Sequence, residues 1–314
     1  MTPRPIFELE VRGRKVRLGE RTLIMGVLNV TPDSFSDGGL YFDRGRAIRR
    51  ALEMRHQGAD WIDVGGESTR PGSQPIPAEE ELRRVLPVIQ SLRRKMRSVP
   101  ISIDTTKAAV AEAALRAGAS IVNDVSGLRF DLRLAEVARR FEVPLILMHL
   151  RGRPETMQQK PFACDIWRSL SKGLAWSVGR ALAAGVRRAQ LIIDPGLGFG
   201  KSRRQNFEIL AQLTRLQRFR LPILVGTSRK SFVQAVVSGE GLEPARSKKR
   251  AAYHWPVTGE LGARRAVPLE VGDAAAVAAS ILGGAHVVRV HDVAAILPAV
   301  RIADAVLAAN RNPS

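Results

Sequence analysis

Six polar side chains, Asn29, Asp104, Asn123, Asp194, Arg289 and His291, close or directly follow short apolar runs, the positions at which a chain of alternating strands and helices gathers its chemistry. The segment from Asn29 to Gly39 (Asn-Val-Thr-Pro-Asp-Ser-Phe-Ser-Asp-Gly-Gly) mixes Pro, Gly, Ser and Asp after an apolar run, giving a loop rich in oxygen ligands. Such oxygens suit Mg²⁺ and phosphates. A second loop, Gly65-Gly66-Glu67-Ser68-Thr69-Arg70-Pro71-Gly72, carries an arginine between glycines, so a cation can be brought over a closing site; turn chemistry alone explains most of its composition. The stretch from Asp194 to Ser202 looks like a glycine loop for phosphate but lacks the Walker spacing, which rejects a nucleotide reading.

Eight apolar runs must position these groups: Leu23–Asn29, Trp61–Gly65, Ile101–Asp104, Ile121–Asp124, Leu145–His149, Leu191–Asp194, Ile223–Gly226 and Val287–His291. Helical patterns lie between them, and that alternation predicts an α/β fold with a parallel sheet, closed by its eight repeats into a (β/α)8 TIM barrel. In the second helix, Leu82, Val85, Leu86, Ile89 and Leu92 recur at helical spacing, acids open it and Arg93–Arg97 close it, which complements the helix dipole. Gly58, Gly118 and Gly185 stand where left-handed residues end helices. Phe7–Val11 and Lys15–Leu18 alternate in polarity around Arg12-Gly13-Arg14 and predict an N-terminal β-hairpin that plugs the barrel floor. Glu240–Glu270 holds three prolines, several glycines and Lys248-Lys249-Arg250, and predicts an inserted surface segment between strands seven and eight, with helix resuming at Asp273–Leu282.

At 314 residues and 45% hydrophobic content, residues 1–314 suit one domain with a sizeable core. The formal charge of +19 could attract anions of several kinds, but the arginines are scattered over helix exteriors and loops, and with 5% aromatic residues they lack a base-stacking platform. No specific nucleic-acid partner is expected. Cys164 is the single cysteine, so no intramolecular disulfide forms. The N-terminus shows no signal-peptide pattern and no uninterrupted apolar run approaches about 18 residues, so a cytoplasmic protein without a membrane partner is expected. His56, His254 and His286 read as surface or packing residues, and His149 as filling a barrel end.

In this order the motifs resemble dihydropteroate synthases, the bacterial folate-pathway family inhibited by sulfonamide drugs. The resemblance runs through Leu23–Gly39, Asp60–Gly72, Ile101–Thr105, Val122–Gly127, Ile193–Ser202, Gly226–Lys230 and Arg289–Asp292. It implies a pterin-binding barrel, commonly a homodimer, that joins 6-hydroxymethyl-7,8-dihydropterin pyrophosphate to 4-aminobenzoate and needs Mg²⁺. By that resemblance Asp104, Asn123, Asp194 and Lys230 hold the pterin, whose edge of donors and acceptors buried Asp and Asn can pair in a fixed orientation. Asn29, Arg289 and His291 take the pyrophosphate, where Arg289 supplies a forked donor, and Asn29 and Asp37 flank the metal. Phe35, Thr69, Arg70, Pro71, Phe199 and Ser228 form the 4-aminobenzoate site: Phe35 and Pro71 pack the ring, Phe199 supplies an apolar wall, Ser228 receives the carboxylate and Arg70 fastens the closed loops.

The implied mechanism is dissociative, with Asp194, Lys230, Arg289 and His291 as the catalytic set and electrostatic stabilisation as its chief resource. Two other functions share parts of this pattern. A pterin-dependent methyltransferase on a related barrel would need neither Arg70 nor the pyrophosphate group. A non-catalytic paralogue finds a hint in Asp273, because the family usually places a small hydroxyl residue after the glycine matching Gly272. The complete set of strand-end motifs favours the synthase.

Overall fold

The structure, a computed structural model, describes residues 4–31, 44–69, 72–153, 155–158, 162–242 and 269–311. Its first strands, β1 (Phe7–Val11) and β2 (Arg14–Leu18), pair antiparallel through a two-residue turn. Arg12 and Gly13 there have φ of +58° and +70°, the left-handed pair whose twist suits a tight hairpin, and β2 therefore starts one residue before the expected Lys15.

The barrel strands follow in order: β3 (Leu23–Asn29), β4 (Trp61–Gly65), β5 (Ile101–Asp104), β6 (Ile121–Asp124), β7 (Leu145–Met148), β8 (Leu191–Asp194), β9 (Leu224–Val225) and β10 (Val287–Val290). Each pairs parallel with its neighbour in sequence; β10 returns to β3 with Val287 opposite Leu23, and a bridge between Ile193 and Ile223 joins β8 to the approach of β9. Between and after them run α1 (Arg44–His56), α2 (Ala78–Lys95), α3 (Ala108–Ala117), α4 (Arg133–Arg140), α5 (Ile166–Ala183), α6 (Arg203–Ala211), α7 (Ser231–Val237), α8 (Leu269–Leu282) and α9 (Val293–Arg311). The barrel is the (β/α)8 fold expected. Gly58, Gly118 and Gly185 are all left-handed, as their places before strands require.

Three expectations change. His149 and His291 fall just beyond their strands, and β9 shortens to two residues. Two helices rather than one are described between β9 and β10: α7 begins directly after Lys230, and α8 starts at Leu269, four residues before the predicted Asp273. Most of the proposed insertion, residues 243–268, lies outside the described residues, as does His254.

The pleat divides the molecule into two apolar regions. Outward residues such as Ile24, Ile62, Ile103, Val122, Leu147, Ile193 and Val288 meet the helices in one large cluster. Inward residues at the strand starts, Leu23, Met25, Trp61, Ile121, Ile146, Ile192, Leu224 and Val287, form a separate cluster that the hairpin completes with Leu9, Val11 and Leu18. The hairpin therefore stoppers the floor of the barrel, and chemistry is left to the other end.

Helix α9 holds an 18-residue window, Val293–Asn310, apolar and long enough by length and composition to cross a bilayer, with mean hydropathy 1.6. Arg301 and Asp304 interrupt it. Val293, Ile296, Val300, Ala303 and Leu307 are buried in the outer cluster, which makes α9 a packing helix of the barrel.

His286 ties the floor together: its Nδ1 accepts from Ile223 N–H (3.1 Å) and its Nε2 meets Pro5 O (3.0 Å), so the ring is neutral with its proton on Nε2. Burial pushes its pKa down to about 4. A histidine depressed in the folded state contributes stability above its ordinary pKa near 6.5 that is lost as pH falls through the folded value. Melting temperature should thus drop between about pH 6.5 and 4. His286→Phe should lower stability by about 1–3 kcal/mol at pH 8 by stranding the Ile223 N–H and Pro5 O, and should flatten that acid limb. Identical acid limbs in both proteins, measured by thermal melts across pH, would refute the assignment.

Candidate active site

The same alternation that fills the floor with hydrocarbon turns a polar layer inward above it. One pleat up from Trp61 stands Asp63, two residues along from Ile121 stands Asn123, and likewise Asp194 follows Ile192 and Arg289 follows Val287. Register sets Gly65 beside Asp104 and Asp104 beside Asn123, so these groups are neighbours by backbone pairing alone. Asp104, Asn123 and Asp194 are all buried.

Arg289 organises one side of this layer. Its Nε donates to Asp63 Oδ2 at 2.6 Å and one Nη to Asp104 Oδ2 at 2.7 Å, while Asn123 Nδ2 donates to Asp63 Oδ2 at 3.0 Å. Burial works to lower the Arg289 pKa, but Asp63 and Asp104 outweigh it and hold the guanidinium above its usual value. Burial moves Asp104 the other way, above the usual carboxylate range, with Arg289 pulling it back. A cation joined to two buried acids is a net anionic cluster, suited to a ligand edge that offers N–H donors.

On the opposite side, Asp194 Oδ1 accepts from Gly196 N–H at 2.6 Å. Burial pushes its pKa up to about 6. Lys230 points its Nζ over the Phe199 ring, 4.0 Å from the centroid, and burial pushes its pKa down to about 8. Phe199 packs with Val125, Met148, Leu150 and Met157 in a small apolar cluster.

Lys201, at the end of the glycine loop, turns inward. Its Nζ donates to His149 O (3.1 Å), Gly196 O (2.7 Å) and Phe199 O (3.0 Å), and burial pushes its pKa down to about 7. It is the clasp of the loop. A Cβ at Gly196 or Gly200 would collide with the His149 or Arg151 carbonyl, so glycine is required where the two loops touch. His149 itself is buried and neutral, its pKa held well below the ordinary value by burial and then by Lys201.

Ser228, expected in the 4-aminobenzoate site, has protein partners that the sequence did not suggest. The sequence reading gives this hydroxyl to a carboxylate ligand, whereas in the fold it donates to Asp273 Oδ2 at 3.0 Å and stands 3.3 Å from both the backbone N and the ring Nδ1 of His291. An anion received at Ser228 would face the Asp273 carboxylate directly. Ser228 therefore braces His291.

At the mouth, Asn29 ends β3 half-buried and Thr69, in the loop after β4, follows that strand by four residues. The foot of that loop is tied down by Lys107, whose Nζ joins Glu67 and, at 2.6 Å, the buried Glu81 of α2. Phe35, Asp37, Arg70 and Pro71 lie outside the described residues. Among the described residues no three His, Cys, Asp or Glu side chains converge as a metal site. Asn29 is the described member of the expected pair around Mg²⁺. So sparse a donor set fits a hard ion that keeps waters and takes further oxygens from a substrate diphosphate.

A family profile described as "Pterin binding enzyme" matches residues 25–291. The dihydropteroate synthase of a Synechocystis species is 43% identical over 287 residues, which cover 91% of this chain and 91% of that protein. The chain belongs to the dihydropteroate synthase family. Solved members share its fold: the Yersinia pestis dihydropteroate synthase in a sulfonamide drug complex has a TM-score of 0.82 at 36% identity, covering 96% of this chain and 100% of that one. The Xanthomonas albilineans dihydropteroate synthase in complex with 7,8-dihydropteroate has a TM-score of 0.78 at 35% identity, covering 96% and 99%.

Against the family expectation, the fold brings Asp104, Asn123, Asp194, Lys230, Phe199 and Arg289 into one mouth and sets His291 beside Ser228. Strand-end reasoning overlooked Asp63, which lies mid-strand in β4. The signal was present, because a lone carboxylate at an inward position of an apolar strand needs a partner. Lys201 was passed over once the nucleotide reading failed.

Proposed function

We infer that this chain condenses 6-hydroxymethyl-7,8-dihydropterin pyrophosphate with 4-aminobenzoate, giving 7,8-dihydropteroate and pyrophosphate. The observation that carries this reading is the buried inward layer of Asp104, Asn123 and Asp194, with Lys230 and Arg289, in a barrel matching one solved with 7,8-dihydropteroate. Asp104 and Asn123 would accept from and donate to the pterin edge, and Asp194 with Lys230 would fix the other end of the ring.

Chemistry begins when the bond between the methylene carbon and the diphosphate oxygen breaks and its electron pair leaves with the oxygen. Arg289 and His291 receive that growing charge, and ionised Asp194, held against the ring, favours the delocalised pterin cation. The arylamine nitrogen then gives its lone pair to the methylene carbon and sheds a proton, which needs no strong base because the anilinium is acidic. Mg²⁺, held by Asn29 and Asp37, would neutralise charge on the leaving group. Phe35, Thr69, Arg70 and Pro71 would close over the site and keep water from the cation. A methyltransferase reading leaves the Arg289 and His291 side without a purpose.

Exposed Val271 on α8 and Ile302 and Val306 on α9 support a homodimer through these two helices, which pack together. A cytoplasmic location agrees with the substrates. Product formation from the two substrates with Mg²⁺ tests the activity; no dihydropteroate beside an active control would refute it. Binding should also be ordered. Because the aminobenzoate pocket is completed by loops closing over the first substrate, calorimetry should detect 4-aminobenzoate only after pterin pyrophosphate, or pyrophosphate with Mg²⁺, has bound. Tight binding to the bare protein would contradict the order.

A further inference from the structure

Asp273 is buried on α8 and bonded to the loop that follows β9. Gly272 lets α8 come this close, since a Cβ there would run into Val237 of α7. Both carboxylate oxygens take the Arg229 N–H, at 3.1 Å and 2.9 Å, and Oδ2 also accepts the Ser228 hydroxyl at 3.0 Å. Arg229 is left-handed, with φ +57°, a conformation that a non-glycine residue keeps only when its surroundings hold it. The next residue is Lys230.

We propose that Asp273 is a positioning residue of the active site, setting through Arg229 the strained turn that presents Lys230 and through Ser228 the ring nitrogen on which His291 carries its proton. The second half follows from donor counting. A hydroxyl has one proton, and here it goes to the carboxylate. Ser228 Oγ is then an acceptor toward His291, 3.3 Å from the backbone N–H and 3.3 Å from Nδ1, so Nδ1 must carry a proton, and His291 would donate from Nε2 to a leaving-group oxygen only as the doubly protonated imidazolium. This inference rests on the reading of His291 as a pyrophosphate ligand for its functional effect, but not for its structural content.

Two variants separate its parts. Asp273→Asn preserves the contacts and reverses their polarity: the amide oxygen accepts from Arg229, the amide nitrogen donates to Ser228, and Ser228 turns its proton toward His291. Nitrogen-15 spectra of histidine-labelled protein, with His291 assigned by comparison with His291→Asn, should show Nδ1 protonated in the parent and Nε2 protonated in Asp273→Asn. Ser228→Ala, which keeps the Arg229 bonds, should release Nδ1 in the same spectra even if the Asp273 variants fold poorly. Asp273→Ala removes the support of the turn, and kcat/KM for the pterin substrate should fall about tenfold or more. Asp273→Asn should recover most of that loss, and KM for 4-aminobenzoate should stay within about twofold in both. Nδ1 protonated alike in parent, Asp273→Asn and Ser228→Ala, or parental kinetics in Asp273→Ala, would overturn the proposal. A His291→Asn protein still inhibited normally by pyrophosphate would instead remove His291 from the leaving-group site, while the nitrogen shifts would continue to decide the role of Asp273.

Discussion

Arg289→Met should reduce kcat/KM for the pterin substrate by a factor corresponding to about 2–4 kcal/mol of transition-state stabilisation. The loss has two sources in the geometry. Arg289 is the forked donor proposed for the diphosphate, and its removal also leaves Asp63 and Asp104 buried without their shared cation. Uncompensated buried carboxylates take up protons, so Asp104 would change from acceptor to donor toward the pterin edge. Both binding and turnover should therefore suffer. Arg289→Lys keeps the charge but replaces the planar fork, whose donors meet Asp63 and Asp104 from separate nitrogens, by one ammonium centre, and should fall between the parent and the methionine variant. Steady-state kinetics with pyrophosphate inhibition provide the check; turnover within tenfold of the parent in Arg289→Met would be incompatible with the role assigned.

A second large effect, of mixed sign, is expected at Asp194. Its folded pKa is raised to about 6 by burial, with the Gly196 N–H opposing. A carboxylate raised in this way is a burden once ionised: the associated stability is complete below the ordinary pKa and is lost as pH climbs through about 6. Asp194→Asn keeps an oxygen for Gly196 and removes the charge. The variant should be more stable than the parent at pH 8, by about 1–3 kcal/mol, with the gain fading toward pH 4. Turnover should fall by about 10²–10³, because the cationic intermediate loses its counter-charge, and the parent's own kcat/KM should decline as pH drops below about 6. Denaturation at two pH values and one pH–rate profile test the pair of claims. A destabilised but active Asp194→Asn would invert the whole assignment.

Much of this was readable from residue order because a parallel barrel makes pleat and position carry the same information. Apolar runs between helical patterns marked the eight strands, and Asp104, Asn123, Asp194 and Arg289 at or near their ends turn into one buried layer, whereas Asp124 and His149 do not join it. The reading faltered where a partner lies far away in sequence. Asp63 lies mid-strand in β4 rather than at a strand end, although its inward phase is set by Trp61. The bond between Ser228 and Asp273 was not readable because its two ends stand 45 residues apart across a stretch without periodicity. Helix α7 was passed over because seven residues span only about two turns, too few for a helical period to stand out from the apolar run before it.

The resting arrangement around Arg289 also bears on inhibitor design. Arg289 is held by Asp63 and Asp104 in a net anionic cluster, so a fragment that brings an anion meets like charge and must win the guanidinium from two acids before gaining anything. A flat uncharged heterocycle that presents adjacent N–H groups to Asp104 and Asp194 meets no such competition. Medicinal chemistry on this barrel would therefore start from neutral, membrane-permeant rings and leave the diphosphate pocket for later elaboration.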